Sequence, residues 1–171
     1  FYAFKIYNDN IFTDLLNAIE AMINEPFVKL IEQYPKVFNQ MIHFFREITV
    51  NQIETVIETS SSLVKAILNC SIKLLTNGEN DDESIKKIYQ WTLDIILAFL
   101  QHIYEFSLDY KPFQSQIDTI NFLLWDKVLK EKININVSIA DPLKYLYLLN
   151  KQFLFTIKEK ISSNLPNHKK N

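Results

Sequence analysis

The chain has 171 residues, of which 48% are hydrophobic and 13% aromatic, and it carries a formal net charge of −2. A chain of this length is typical of one domain with a substantial core. The near-neutral charge and the single arginine, Arg46, argue against a nucleic-acid-binding protein, because such proteins usually carry a basic surface rich in arginine. We therefore expect no nucleic-acid partner.

Residue types that are rare in this chain exclude several kinds of site. Gly78 is the only glycine, which removes the glycine-rich loops that bind phosphate. Cys70 is the only cysteine, so no disulfide forms within the chain and a reducing compartment is expected. The longest apolar run, residues 95–100, is far shorter than the ~20 residues that span a bilayer, so we expect no membrane insertion. Because the chain starts at Phe1 without a signal-peptide pattern, we expect a piece of a longer protein.

Apolar residues at three-and-four spacing predict helices along almost the whole chain. The predicted segments, in chain order, are residues 10–24, 26–31, 35–45, 49–76, 82–108, 112–132 and 142–161. The longest of them, residues 82–108, is apolar on two sides, with Trp91, Ile96 and Leu100 on the second side. This pattern is typical of a helix buried between neighbours.

Prolines and short polar segments mark the predicted helix ends. The prolines that suit the first turn of a helix are Pro26, Pro35, Pro112 and Pro142. Asp141 is the predicted N-cap before the last of these helices. Gly78 suits the C′ position of the preceding helix. We predict that this is the one helix that ends sharply without a proline. The three serines at residues 60–62 predict a bend, and residues 133–139 are predicted to form a loop, since no second strand can pair with them.

The predicted helices indicate an all-α fold in one domain, residues 1–165, followed by a polar tail at residues 166–171. They group into antiparallel pairs of roughly 40–47 residues, the size of HEAT or armadillo units, which stack into an α-α superhelix. A closed helical bundle fits the same pattern. If the pairs end a larger solenoid, apolar surface near Tyr2, Phe4 and Ile11 is expected to be exposed.

No group of side chains in the sequence predicts catalysis or a metal site. His43 and His102 lie in predicted helices without the spacing of metal ligands, and His168 lies in the tail. Cys70 has no histidine in its helix to activate it as a nucleophile. We therefore expect no enzyme, no metal and no cofactor.

An acidic segment is the candidate contact site. Glu79, Asp81, Asp82 and Glu83 lack the oxygen pattern of a calcium-binding loop. One interpretation is a solvated loop that favours the start of the next helix. The other is a contact for a basic protein partner.

The most specific pattern in the sequence lies at residues 4–36. It reads F-K-I-Y-N-D, then I-F-T-D-L-L-N-A, then E-P-F-V-K-L-I-E-Q-Y-P-K-V. This pattern resembles the C-terminal part of nuclear transport receptors of the importin-β (karyopherin) superfamily, in the exportin-seven and exportin-four branch. The matching residues are Phe4, Tyr7, Asp9, Leu15, Ala18, Pro26, Leu30, Tyr34, Pro35 and Lys36. Weaker similarity follows at Leu93, Asp94 and Ile96, and at residues 142–153.

The resemblance implies a superhelix of HEAT-type helix pairs that acts by binding. The partners it implies are protein cargo, the GTPase Ran in its GTP-bound form, and nucleoporins. In such receptors Ran is bound mainly by more N-terminal repeats. The resemblance also implies shuttling between nucleus and cytoplasm, and it assigns no catalytic residue.

Two other interpretations fit the sequence. One is a helical scaffold that binds proteins but has no role in transport. The other is a closed bundle with an apolar ligand cavity, lined by Trp91, Phe99, Phe106 and Trp125.

Overall fold

A computed structural model of the protein describes residues 11–23, 33–77, 83–129 and 137–151. These ranges contain α-helices and one short 3-10 helix, and they contain no strand. The helices are α1 (Ile11–Met22), α2 (Pro35–Thr59), α3 (Ser61–Asn77), α4 (Glu83–Glu105), the 3-10 helix Lys111–Phe113, α5 (Gln114–Leu129) and α6 (Val137–Leu149). The all-α prediction is confirmed for this part of the chain.

Two predicted helix starts are confirmed. Tyr34 lies immediately before α2, and its carbonyl accepts hydrogen bonds from the amides of Val37 and Phe38 at 2.9 and 3.0 Å. Pro35 then opens the helix, where its missing N–H costs nothing. Lys111 and Pro112 likewise form a 3-10 turn that leads directly into α5.

α2 is longer than the sequence predicted. We predicted a helix to residue 45 and a new one from residue 49, but the helix continues to Thr59, and α2 rather than α4 is the longest described helix. Gln52 (φ −143°, ψ 33°) kinks α2 without ending it. Ile48 and Val56, on either side of the kink, are each 1% exposed, so burial holds both halves in helical form.

A single residue, Ser60, separates α2 from α3. Its extended backbone (φ −161°, ψ 121°) ends α2. Its Oγ accepts hydrogen bonds from the backbone amides of Ser62 and Leu63, each at 3.2 Å. Ser60 is therefore both the C-cap of α2 and the N-cap of α3, which confirms the bend predicted at the three serines.

α4 ends sharply without glycine or proline. Ser107 adopts the left-handed conformation (φ 51°). The amide of Leu108 donates to the carbonyl of Ile103 at 3.0 Å, and the amide of Ser107 donates to that of Tyr104 at 3.3 Å. These two bonds form a Schellman motif with serine at the C′ position. The prediction that only Gly78 ends a helix sharply without proline is therefore wrong, and Gly78 itself lies outside the described residues.

α6 begins earlier than predicted. Residues 137–139 were assigned to a loop and Pro142 to the first turn of the last helix, but α6 starts at Val137 and contains Pro142 inside it. Ile139 is completely buried. Burial of this side chain favours a helical turn before Asp141, which therefore is not the N-cap.

The core is formed by side chains from every described helix, and α4 lies at its centre. α4 contacts α2, α3 and α6. The apolar α4 side chains with at most 2% exposure are Leu93, Ile95, Ile96, Phe99, Leu100 and Ile103. The predicted burial of this helix between neighbours is confirmed, although Trp91 is only half-buried.

Helices that are two apart in the chain make the most extensive contacts. α2 packs on α4 and α4 on α6, while α3 packs on α5. His43 lies 4.6 Å from Trp91, ring centre to ring centre, and three residues later in both helices Arg46 contacts Asp94. α2 and α4 therefore run in the same direction, whereas α3 follows α2 through Ser60 alone and folds back along it.

Replacing Ser107 by glycine should stabilise the protein. A non-glycine residue in the left-handed conformation is strained, and glycine adopts it freely. We expect Ser107→Gly to raise the free energy of unfolding by up to about 1 kcal/mol, measured by urea denaturation. The matched control is Gln40→Gly, at an exposed position inside α2, which should lose about 1 kcal/mol. Equal losses in both variants would contradict the assignment.

Candidate interaction surface

The predicted contact residues are only partly described. Glu83 is exposed in the first turn of α4, whereas Glu79, Asp81 and Asp82 lie outside the described residues. A carboxylate at this position favours the helix start. Because the other three acidic residues are not described, the role of this segment as a contact site remains a prediction.

The residues of the family pattern that the structure describes are Leu15 and Ala18 in α1 and three residues at the start of α2. Tyr34 is 58% exposed and Lys36 is exposed, and both flank Pro35 at the first turn of the helix. Phe4, Tyr7 and Asp9 lie outside the described residues. The local prediction from the Tyr34, Pro35 and Lys36 sequence, a new helix, is confirmed.

A polar and aromatic surface follows the contact between α2 and α4, and we refer to it as the α2–α4 seam. Its residues are His43, Arg46, Glu47, Lys87, Gln90, Trp91 and Asp94. None of them is completely buried. Their charged groups are therefore held in place while remaining in contact with solvent.

Asp94 is the centre of this seam. Its Oδ2 accepts a hydrogen bond from Nε of Arg46 at 2.7 Å, and its Oδ1 accepts one from Nε2 of Gln90 at 2.8 Å. The side chains of Arg46 and Asp94 are 30% and 24% exposed. A charge-assisted bond in such a half-buried position contributes more than a fully exposed ion pair does. Asp94 thereby links α2 to α4.

The guanidinium of Arg46 is shared between two carboxylates. Its Nη1 donates a hydrogen bond to Oε1 of Glu47 at 2.5 Å, and Glu47 also accepts a hydrogen bond from Asn51. The hydrogen bond to Asp94 is the main cause that raises the pKa of Arg46 above its ordinary value. The arginine charge is therefore constant over the whole accessible pH range.

Trp91 completes the seam on the α4 side. The ring of His43 lies against it at a tilt of 43°, and Nζ of Lys87 lies 5.1 Å from its ring centre. A cation over an exposed indole contributes about 0.5–1 kcal/mol. Trp91 is thus held between an imidazole and a cation on the partly exposed side of the seam.

A second aromatic group lies where α4 ends beside α6. The rings of Tyr104 and Tyr145 meet edge to face at 5.7 Å, and His102 stacks on Phe106 at 4.5 Å. Phe106 is 64% exposed and lies just beyond the last residue of α4. This group is a smaller candidate contact surface.

The four side chains predicted to line a ligand cavity do not together line the cavity that the structure describes between α2, α3 and α4. The described cavity has a volume of about 10 Å³, and of the four only Phe99 lines it, together with residues such as Thr49, Val64 and Ile95. A volume of this size holds about one water molecule. Phe106 is too exposed to line a closed cavity.

The remaining candidates are placed as follows. Cys70 is buried at 3% exposure, His43 and His102 contact aromatic rings, and His168 lies outside the described residues. Within those residues, no group of three or more His, Cys, Asp and Glu side chains is arranged to hold a metal ion. No helix in the same ranges is long and apolar enough to cross a membrane.

The role of Arg46 and Asp94 was not predicted from the sequence. Arg46 was recognised only as the single arginine, and Asp94 only as part of the weaker family similarity. The signal that connects them is their separation of 48 residues, close to the length of one predicted helix pair.

Comparison with known proteins yields no relative. No protein-family model, no curated protein and no solved structure matches the chain. The family to which the chain belongs is therefore a matter for proposal.

A double-mutant cycle should detect coupling between Arg46 and Asp94. Arg46→Met and Asp94→Asn should each lose about 1–2 kcal/mol of unfolding free energy, and the double variant should lose about 1 kcal/mol less than the sum. The control cycle uses the exposed pair Gln101 and Glu105, whose coupling should stay below about 0.5 kcal/mol. Strictly additive losses at the seam would contradict the role of this ion pair. Chemical denaturation supplies all the values.

The contact between α1 and α3 should weaken in acid. Hydrogen bonds from Ser60 and then Ser62 lower the pKa of Glu20 below its ordinary value of 4.5. Because the folded-state pKa is lowered, the stabilisation is fully present above 4.5 and is lost as the pH falls through the folded-state value.

The pKa of the Glu20 carboxyl group can be followed by carbon NMR. We expect Ser62→Ala, which removes one donor to Glu20, to raise this pKa toward 4.5. The adjacent exposed Ser61→Ala variant should leave it unchanged. A Glu20 pKa of 4.5 or more in the unmodified protein would disprove the contact.

Proposed function

We propose that this chain is a stack of antiparallel helix pairs that acts by binding proteins. The observation that carries the proposal is the repeated separation of contacting residues. Arg46 and Asp94 are 48 residues apart in α2 and α4, and Asn69 and Gln116 are 47 residues apart in α3 and α5. Tyr104 in α4 and Tyr145 in α6 are 41 residues apart. A separation of about one helix pair between contacting helices that are two apart in the chain is what successive units of a solenoid produce.

The pattern of neighbours favours a stack over a closed up-and-down bundle. In such a bundle each helix packs mainly on helices of opposite direction. Here the most extensive contact joins α2 and α4, which run in the same direction. Tyr104 near the end of α4 meets Tyr145 in α6, and Tyr110, which follows α4, donates a hydrogen bond to the carbonyl of Leu149 at the end of α6, so this pair runs in the same direction too.

Within this architecture, we assign the chain to the C-terminal repeats of a nuclear transport receptor. Support comes from the resemblance at residues 4–36, to which the described start of α2 adds one agreement in helix position. The proposed partners are protein cargo, GTP-bound Ran and nucleoporins. The α2–α4 seam is the proposed contact surface in the described part of the chain, and the receptor shuttles between nucleus and cytoplasm.

The mechanism we propose is a change of curvature. In a stack each pair contacts only its neighbours, so small rotations between pairs add along the array. A partner that binds one curvature better than another shifts the equilibrium between the two. Coupling of Ran and cargo through this equilibrium would release cargo without any chemical step.

The test is a pull-down with the full-length gene product. Ran loaded with GTP should be recovered more efficiently than Ran loaded with GDP. Trp91→Ala, a seam variant, should weaken recovery of cargo proteins, while the exposed Tyr147→Ala variant should not. Equal recovery of Ran in both nucleotide states would reject the transport assignment, and the general scaffold would then be preferred.

The apolar-ligand bundle has less support. Its cavity requires far more than the ~10 Å³ found between α2, α3 and α4. Native mass spectrometry of the purified protein would detect a bound lipid.

A further inference from the structure

The small cavity between α2, α3 and α4 has one polar side chain in an otherwise apolar lining. Its volume of about 10 Å³ is room for about one water molecule. Of the eight described residues that line it, seven are apolar and Thr49 is polar. Every one of them except Ile53 is at most 3% exposed. A molecule in this cavity is therefore separated from bulk solvent.

The hydroxyl of Thr49 is buried without a protein partner. Thr49 is 2% exposed, and its Oγ1 has no hydrogen-bond partner among the residues that the structure describes. Other helical hydroxyls donate to the carbonyl four residues earlier, namely those of Ser71, Thr76, Thr92 and Thr119. The Thr49 hydroxyl does not bond the carbonyl of Phe45 in this way. Because nearly all buried hydroxyls bond either protein or water, this one requires a partner from outside the protein.

α2 is kinked directly beside the cavity. Gln52, which lies outside the helical region, is three residues after Thr49 and one before Ile53. Helices kink at proline, at glycine or serine pairs, at π-bulges, or where a side chain or a water molecule enters the backbone hydrogen-bond ladder. Residues 46–59 contain no proline, glycine or serine, and α2 has no π-helical turn. The last cause therefore remains.

A side chain accounts for the exposed side of the kink. Nδ2 of Asn51, an exposed residue, donates a hydrogen bond to the carbonyl of Glu47 at 2.8 Å. The buried side has a different requirement. The ψ of Gln52 is 33° instead of about −42°, which turns the amide of Ile53 away from the helix axis. Its bond to the carbonyl of Thr49 is weakened, and a buried carbonyl that loses its amide needs another donor.

We propose that this cavity binds one water molecule at the kink of α2. The water bonds Oγ1 of Thr49 and donates to a backbone carbonyl of the turn that the kink opens. Two polar partners are the minimum that holds a buried water. The water gives both buried groups a partner, and so it stabilises the kinked form of α2. This site does not depend on the transport assignment.

Replacing the hydroxyl by a methyl group distinguishes a hydrated cavity from a dry one. Thr49→Val removes one partner of the water, so the equilibrium constant for unfolding, measured by urea denaturation, should rise about three- to tenfold. In a dry cavity the same change removes an unpaired polar group, and the constant would fall. The matched control is Thr119→Val, at an exposed position in α5, where the change should stay below about twofold. An unchanged or lower constant in Thr49→Val overturns the proposal.

Oxygen-17 magnetic relaxation dispersion detects the water itself, because only buried water molecules exchange slowly enough to contribute. The unmodified chain and Thr49→Ser, which keeps the hydroxyl, should each hold one more long-lived water molecule than Thr49→Val. Circular dichroism checks that both variants fold. Equal numbers of long-lived water molecules in Thr49→Ser and Thr49→Val would also overturn the proposal, whatever the two stabilities.

Discussion

The fold depends on α4, because this helix has apolar side chains on more than one side and must be covered on each of them. α2 packs along one side and α6 along another, and α3 closes the core from the second layer. Each fully buried leucine, isoleucine or phenylalanine contributes about 1.5–3 kcal/mol by leaving water. Phe99 also meets Phe113 edge to face at 5.3 Å, which ties the turn before α5 to the same core. The order of the other helices follows from covering this one.

Burial explains why α2 lies beside α4, but it does not fix how far one helix is shifted along the other. Aliphatic side chains pack almost equally well after a shift of one turn, whereas a bond between a guanidinium and a carboxylate does not survive it. The pair of Arg46 and Asp94 therefore specifies the register, and the ring contact between His43 and Trp91 repeats it one turn earlier. The partly exposed seam that holds the fold in register is also the surface that we propose as a partner contact. On that proposal, a mutation there affects register and binding together.

Local patterns predicted the helices well and their ends less well. The helix starts predicted at Pro35 and Pro112 are confirmed, because the effect of a proline is confined to the neighbouring backbone. The helix start predicted at Thr49 and the loop predicted at Ile139 were wrong because distant packing decided them. Ile48 and Val56 hold α2 together across its kink, and buried Ile139 favours helix before Pro142. The seam could not be predicted at all from single positions. Arg46 and Asp94 each look like an ordinary polar residue on a helix, and only the folded chain brings them together.

The directions of the helices have an electrostatic consequence. Every α-helix carries a partial positive charge at its start and a partial negative charge at its end. α2 and α4 run in the same direction and so place their positive ends at one edge, but α3 runs back and ends at that edge with its negative pole. The backbone contributions there largely cancel. Ionised side chains therefore set the sign of the potential at this edge, where the exposed Glu83 at the start of α4 and the exposed Lys36 at the start of α2 carry opposite charges.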